Sequence, residues 1–72
     1  MTPTEIGKIL RAARLRKGLS MGALSRAVGI SDVHVGRLER GEISPTLRML
    51  ETVTAGLDLQ MTILIRKKEG SE

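Results

Sequence analysis

The side chains able to do chemistry in this chain of 72 residues are mostly basic, and they are unevenly distributed. Residues 1–48 carry nine lysines and arginines and four acidic residues, a net charge of +5. Residues 49–72 carry three lysines and arginines and four acidic residues, a net charge of −1. Such an excess is typical of a surface that neutralises the phosphates of a polyanion, although an ordinary solvated surface is also compatible with it. Because the chain has no aromatic residue on which a base can stack, the pattern favours a double-stranded over a single-stranded nucleic acid.

Catalytic and metal-binding constellations are absent from the sequence. The chain has no cysteine and no tyrosine, its single histidine is His34, and no carboxylates are paired at a plausible catalytic spacing. We therefore predict a protein that is not an enzyme and that has no metal site and no cofactor. The sequence also lacks an apolar run of roughly 20 residues and the apolar core of a signal peptide, which predicts a cytoplasmic protein without a membrane partner, associated with the nucleoid only if its polyanion is DNA.

The basic residues surround a central stretch, residues 20–41, that is predicted to form two short helices joined by a tight turn at Gly29. Ser20 is a suitable N-cap for the first of these helices. Its apolar residues recur at the three- and four-residue spacing of one buried helix face: Ala23, Leu24, Ala27 and Val28.

The second helix of this stretch is predicted to begin after Ser31, as its cap, and to end at Gly41. Val35 and Leu38 supply its buried stripe. The residues left to face outward are Asp32, Val33, Gly36 and Arg37. Two helices joined by a short turn containing glycine are typical of the DNA-binding helix-turn-helix, whose second helix enters the major groove.

A longer helix is predicted before this motif, from Pro3 to about Lys17, because Thr2 to Glu5 have the form of a capping box with proline at the first helical position. Its apolar stripe consists of Ile6, Ile9, Leu10 and Ala13. Arg14 lies at the edge of that stripe, where an unpaired guanidinium is costly. We therefore expect an acidic partner for Arg14.

A fourth helix is predicted after the motif. Ser44, Pro45 and Thr46 repeat the pattern of a cap followed by proline, and the helix should run to about Ala55 with Gly56 as its stop. The apolar residues spaced to close the core are Leu47, Leu50, Val53 and Leu57.

Near the end of the chain, the apolar residues no longer recur at the three- and four-residue spacing of a helix. From residue 57 to residue 65 apolar and polar residues alternate, with Leu64 as the exception, which predicts a strand. A single strand has no partner in an otherwise helical chain, so we expect pairing with the same strand of a second subunit through Leu59, Met61, Ile63 and Ile65. The predicted organisation is a DNA-binding domain at residues 1–56, a dimerisation strand at 57–66 and a flexible tail at 67–72.

Three stretches, LRAARLRKGLS, ALSRAVGIS and VGRLERGEISPTLRMLETVTAGL, resemble the Xre/Cro/cI-type helix-turn-helix family of prokaryotic and phage repressors over residues 5–59. The terminal strand is similar to that of HipB-type antitoxins, in which it lies at the dimer interface. The resemblance implies a mainly α, four-helix, lambda-repressor-like domain with a C-terminal β-strand that pairs across a homodimer. It also implies a structural salt bridge between Arg14 and Glu39, which joins the first and third helices.

By position, the resemblance implies base reading by Asp32, Val33 and Arg37. Arginine binds guanine in a bidentate way, aspartate accepts a hydrogen bond from the amino group of cytosine, and valine contacts the methyl group of thymine. The expected contacts with the DNA backbone are Arg11, Lys17, Ser20, Met21, Arg26, Ser31, His34, Arg40 and Arg48. Asp32 and Val33 depart from the residues common in the family, and Met21 replaces a usual glutamine, so relatives do not give the operator.

Three functions compete at this point. The first is a dimeric repressor of transcription that binds double-stranded DNA at a pseudo-palindromic operator. The second, compatible with the first, is the autoregulating antitoxin of a HipBA-like toxin–antitoxin operon, with a kinase-like toxin as partner. The third is a protein-interaction module that has lost DNA binding. Without a toxin, the repressor would be a stand-alone phage-type or host regulator.

Overall fold

The computed structural model describes residues 1–70, and its regular elements are four α-helices. They are Pro3–Arg16 (α1), Met21–Val28 (α2), Asp32–Glu39 (α3) and Leu47–Gly56 (α4). The mainly α, four-helix fold predicted from the sequence is confirmed. Within the described residues, no helix has both the length and the apolar character that crossing a membrane requires.

Each helix begins at a serine or threonine whose hydroxyl accepts a hydrogen bond from a backbone N–H three residues further on, which satisfies a donor that has no partner within the helix. The four N-caps are Thr2, Ser20, Ser31 and Thr46. The start predicted at Ser44 is wrong, because α4 begins two residues later. Thr46 and not Ser44 accepts the N–H of Met49, at 3.1 Å.

The turn between α2 and α3 ends α2 at Gly29, which has a left-handed backbone with φ of 72°. A residue with a Cβ is disfavoured in this conformation. The N–H groups of Gly29 and Ile30 both donate to the carbonyl of Ser25, which closes the end of α2. The turn predicted from the sequence therefore has a direct conformational reason.

The core lies between the four helices. Its fully buried apolar side chains are Leu10 and Ala13 of α1, Leu24 of α2, Val35 and Leu38 of α3, Val53 of α4 and Leu57 at the end of α4. Some residues of the predicted apolar stripes do not join it, since Ala27 is exposed, Ile9 is 47% exposed and Leu47 is 58% exposed.

Helix α1 meets the carboxyl end of α3 without intervening side chains. A Cβ added to Gly7 would lie 2.4 Å from the carbonyl oxygen of Glu39 and 2.6 Å from that of Leu38. The two backbones can approach this closely only because residue 7 is glycine. Helix α1 therefore fixes the position of α3, the helix predicted to read DNA.

The predicted strand is not observed in residues 1–70, and its first residue has another role. Leu57 is 3% exposed and caps α4, Asp58 takes a left-handed backbone with φ of 55°, and the N–H of Leu59 donates to the carbonyl of Thr54 at 2.8 Å. A strand is defined by ladder hydrogen bonds to a neighbour, and a single chain provides none here. Of the predicted tail at 67–72, residues 71 and 72 lie outside the described residues.

Candidate nucleic-acid interface

The first two turns of α3 expose the three side chains predicted to read bases. Asp32, Val33 and Arg37 are all exposed, and Val33 is 61% exposed although it is apolar. The Oδ1 atom of Asp32 accepts the backbone N–H of Val33 at 2.8 Å, so the carboxylate already binds the amino end of its own helix. Such binding is favourable because a helix N-terminus carries partial positive charge. It also restricts the directions in which Asp32 can accept a hydrogen bond from a base.

The caps of α2 and α3 lie beside this exposed face. The hydroxyl of Ser20 accepts the N–H of Ala23 at 3.0 Å, and that of Ser31 accepts the N–H of His34 at 3.2 Å. Each hydroxyl keeps its own proton, because a serine is both a donor and an acceptor. Both serines are exposed at a helix N-terminus, where an anion is favoured.

A groove of about 500 Å³ lies between α2 and α3. It brings together seven residues, five of them predicted contacts: Ser20, Met21, Gly22, Asp32, Val33, Gly36 and Arg40. Arg11, Lys17, Arg37 and Arg48 are exposed but do not line this groove. The guanidinium of Arg26 lies beside Gly22, at 3.4 Å from the position of an added Cβ.

Lys17 is not a free cation in the described residues. Its Nζ atom pairs with the carboxylate of Asp58, which follows α4. This exposed pair joins the end of α1 to the end of α4. A phosphate would therefore have to compete with Asp58 for Lys17.

Arg14 and Glu39 form a buried ion pair that joins α1 to α3. The distances are 2.7 Å from Nε of Arg14 to Oε2 of Glu39 and 2.9 Å from Nη2 to Oε1, and Nη1 donates to the carbonyl of Leu19 at 2.8 Å. The side chains are only 8% and 5% exposed. Hydrogen bonding to Glu39 raises the pKa of Arg14, against the opposing effect of burial. The acidic partner expected for Arg14 is therefore present, on the helix that carries the exposed face.

The backbone of α3 ends at Arg40, whose side chain turns back along the helix. Its Nε atom pairs with the carboxylate of Glu42, and a Cβ added to Gly36 would lie 3.0 Å from its Nη1 atom. The hydrogen bond lowers the pKa of Glu42 and raises that of Arg40. Gly36 is buried rather than outward-facing as predicted. Sequence reasoning gave no role to Glu42, although opposite charges two residues apart at a helix end were a signal for the pair.

His34 differs from the other predicted contacts. Its side chain is partly buried, and its Nε2 atom is buried without a hydrogen-bond partner among the described residues. In this structure that atom is not presented to a phosphate outside the protein. No group of histidine, cysteine and acidic residues in residues 1–70 is arranged to hold a metal ion.

The sequence matches a protein family described as Helix-turn-helix over residues 10–64. It is 37% identical over 60 residues to the HTH-type transcriptional regulator SlrR of Bacillus subtilis, a match that covers 82% of this chain and 40% of SlrR. The chain thus spans about two fifths of the length of that relative. This relative is described as a transcriptional regulator and not as an enzyme.

Two solved structures show how far the fold likeness extends. The restriction-modification controller protein C.AhdI from Aeromonas hydrophila has a TM-score of 0.78 at 31% identity, and the match covers 81% of this chain and 88% of that one. HipB in the HipA-HipB-O2-O3 complex has a TM-score of 0.77 over 93% of this chain and 94% of that one. At 22% identity, the likeness to HipB shows a common fold.

Proposed function

This chain belongs to the Xre-type helix-turn-helix family, and we propose that it is a sequence-specific transcriptional repressor that binds a pseudo-palindromic DNA operator as a dimer. The observation that carries the proposal is the exposed start of α3. The carboxylate of Asp32 and the apolar side chain of Val33 line the groove between α2 and α3 there, and the exposed guanidinium of Arg37 follows in the last turn of the helix. These are the groups that distinguish base pairs in the major groove.

In the proposed complex, α3 lies in the major groove. Arg37 donates two hydrogen bonds to guanine, Val33 contacts a thymine methyl group, and Asp32 accepts from the amino group of cytosine. The hydroxyls of Ser20 and Ser31 and the surrounding basic side chains hold the DNA backbone, which fixes the register of the base contacts. Two copies of α3 enter successive major grooves about 34–36 Å apart and occlude the promoter.

An apolar groove formed by α1, α4 and the segment after α4 supports the dimer. It has a volume of about 350 Å³ and is lined mainly by large apolar side chains, among them Ile6, Ile9, Leu10, Leu47, Leu50, Leu59, Met61 and Ile63. Beyond it, Leu64 and Ile65 are 78% and 87% exposed. Exposed apolar surface of this kind marks interaction sites. We propose that a second copy covers it, with the two segments 57–66 paired as antiparallel strands.

DNA binding is tested by selecting a duplex from a random-sequence library with the wild-type chain and measuring its affinity at several salt concentrations. We expect log K to fall with log salt by about 0.9 for each phosphate neutralised. Arg37→Ala should lose about 1–3 kcal/mol of discrimination for the selected duplex while binding to random DNA falls much less. Lys67→Ala, which removes an exposed basic side chain beyond the proposed strand, should leave discrimination intact. A salt-independent affinity would refute the DNA-binding proposal.

A second candidate function is the autoregulating antitoxin of a HipBA-like operon, in which the same chain also binds a kinase-like toxin. It is supported by the exposed side chain of Leu64, which departs from the alternation of the segment and is not one of the four side chains assigned to the dimer, so that it is left for another partner. The test is the neighbouring reading frame and co-expression with its product. A kinase-like product that forms a complex of fixed stoichiometry with this chain would favour the antitoxin. A neighbour of another kind would favour a stand-alone regulator.

A further inference from the structure

Arg40 covers the outer face of α3 at a position where the helix has no side chain. Its guanidinium turns back by one helical turn, so that a Cβ on Gly36 would lie 3.0 Å from Nη1 and 3.7 Å from both Nη2 and Cζ. Gly36 is buried as a result, although it lies on the groove side of α3. The absence of a side chain at residue 36 leaves room for the guanidinium in this place.

Glu42 holds the other side of the same guanidinium. Its carboxylate accepts from Nε of Arg40, and the hydrogen bonds found in residues 1–70 include none from Nη1 or Nη2. A guanidinium has five N–H donors in a fixed planar arrangement. With Nε bound to Glu42, the donors on Nη1 and Nη2 are left for a ligand.

The ligand class follows from the surroundings of Arg40. The groove that it lines also contains Ser20, Met21 and Gly22, the cap and first residues of α2. It also contains the carboxylate of Asp32, whose Oδ1 atom is bound to the amino end of α3. A helix N-terminus with its cap hydroxyl favours an anion, and a guanidinium binds a phosphate through two parallel hydrogen bonds. The shared preference of these groups is for a phosphate of the DNA backbone.

We propose that Glu42 and Gly36 are positioning residues that hold the guanidinium of Arg40 over the groove between α2 and α3, ready to bind a DNA phosphate. The proposal rests on the proposed DNA binding and adds an acidic residue to the interface. A positioning role and a purely electrostatic role of Glu42 predict opposite changes in DNA affinity when its charge is removed. Glu42 is a negative charge close to the DNA, so if it acted only as a charge, its removal would strengthen binding. If it positions Arg40, its removal weakens binding, because Arg40 must then be ordered at the moment of association.

The experiment is a double-mutant cycle of Glu42→Gln and Arg40→Ala. Affinity for a mixed-sequence duplex of about three helical turns is measured by fluorescence anisotropy at about 50 mM salt. We expect Glu42→Gln to weaken binding about two- to tenfold, the cost of ordering one flexible side chain. In the Arg40→Ala background the same change should leave binding unchanged or strengthen it. Glu51→Gln, which removes an exposed negative charge from α4, is the control and should not weaken binding.

A readout without DNA separates this proposal from the proposed function. In the free protein, the Nε–H resonance of Arg40 should shift and exchange faster with water in Glu42→Gln than in the wild-type chain. Binding of Glu42→Gln as tight as, or tighter than, that of the wild-type chain would overturn the positioning role. If the wild-type chain shows no salt-dependent binding, the proposed function fails and this role fails with it. Glu42 is exposed, and melting curves of Glu42→Gln and Glu42→Ala establish that the variants fold.

Discussion

Gly7→Ala should destabilise the domain even though alanine is the better helix former. Residue 7 lies inside α1, where the exchange alone would stabilise the helix by about 1 kcal/mol. The new Cβ would lie 2.4 Å from the carbonyl oxygen of Glu39, whereas Cβ atoms essentially never come within 3.0 Å of another heavy atom. Helices α1 and α3 must therefore separate by at least 0.6 Å, and both clashing carbonyls belong to backbone that cannot rotate away.

The magnitude follows from these opposing effects. Overpacking of a close contact costs about 1–3 kcal/mol, and the alanine preference offsets about 1 kcal/mol of it. Because both contacts are with backbone and lie well under 3.0 Å, the cost belongs to the upper part of this range, and we expect a net loss of about 1–2 kcal/mol. Each kcal/mol lowers the melting temperature by about 4–8 °C. A chain of this size has a total stability of roughly 4–11 kcal/mol, so the loss is a substantial fraction.

Thermal unfolding followed by circular dichroism, at one fixed protein concentration, measures this loss. The matched control is Gly22→Ala in α2, whose Cβ would meet only the flexible end of Arg26, at 3.4 Å, and Ser20 Oγ, at 3.9 Å. This control should be as stable as the wild-type chain or more stable. If Gly7→Ala melts at the same temperature as the wild-type chain or higher, the close backbone contact at residue 7 does not hold α3 against α1.

Three further changes test other parts of the structure. Glu39→Gln should cost about 3–5 kcal/mol in urea unfolding because it leaves the Arg14 charge buried without its partner, and replacing both residues by apolar ones should recover most of the loss. Truncation after Asp58, which keeps the core residue Leu57, should give a monomer in sedimentation. About 100 Å² of apolar surface on each of Leu59, Met61, Ile63 and Ile65, or roughly 10 kcal/mol before association costs, is then lost from the proposed interface. The hydrogen bond with Arg40 lowers the pKa of Glu42 below its ordinary value of 4.5. The ion pair is therefore present at any pH above 4.5, and it is lost only when the pH falls through the lower pKa that Glu42 has in the folded protein. The effect of Glu42→Gln on DNA affinity should accordingly be equal at pH 5 and pH 7, and a smaller effect at pH 5 would contradict this.

The helices were predictable because their signals are local. Thr2, Ser20 and Ser31 act on N–H groups three residues away, and Gly29 meets a requirement of its own backbone. The same locality explains the error at α4, where Ser44 and Thr46 are both capping residues and only the hydrogen bond to Met49 distinguishes them. The buried apolar residues were predictable where one face of a helix packs against several other helices.

Features that depend on a neighbour in space were not predictable in the same way. Ile9 and Leu47 have the spacing of core residues but line the groove of α1, α4 and the terminal segment, so they remain exposed in a single chain. The alternation after Leu57 has no ladder partner, because pairing needs a second strand that no local pattern provides. The association of Arg40 with Gly36 depends on a side-chain rotamer, which residue spacing does not determine.

The two halves of α3 differ in their contacts with the rest of the fold. Its carboxyl half is held by α1, through the backbone contact at Gly7 and the ion pair of Arg14 with Glu39. Its first turn carries Asp32 and Val33, which are exposed and make no side-chain hydrogen bond beyond their own helix. Under the proposed DNA binding, substitutions of Asp32, Val33 or the exposed Arg37 should therefore change base preference at little cost in stability. Substitutions of the buried Leu38 and Glu39 in the carboxyl half should instead destabilise the fold before they change preference. If the proposed DNA binding holds, a domain with so small a core can in this way change its operator without losing the helix proposed to read it.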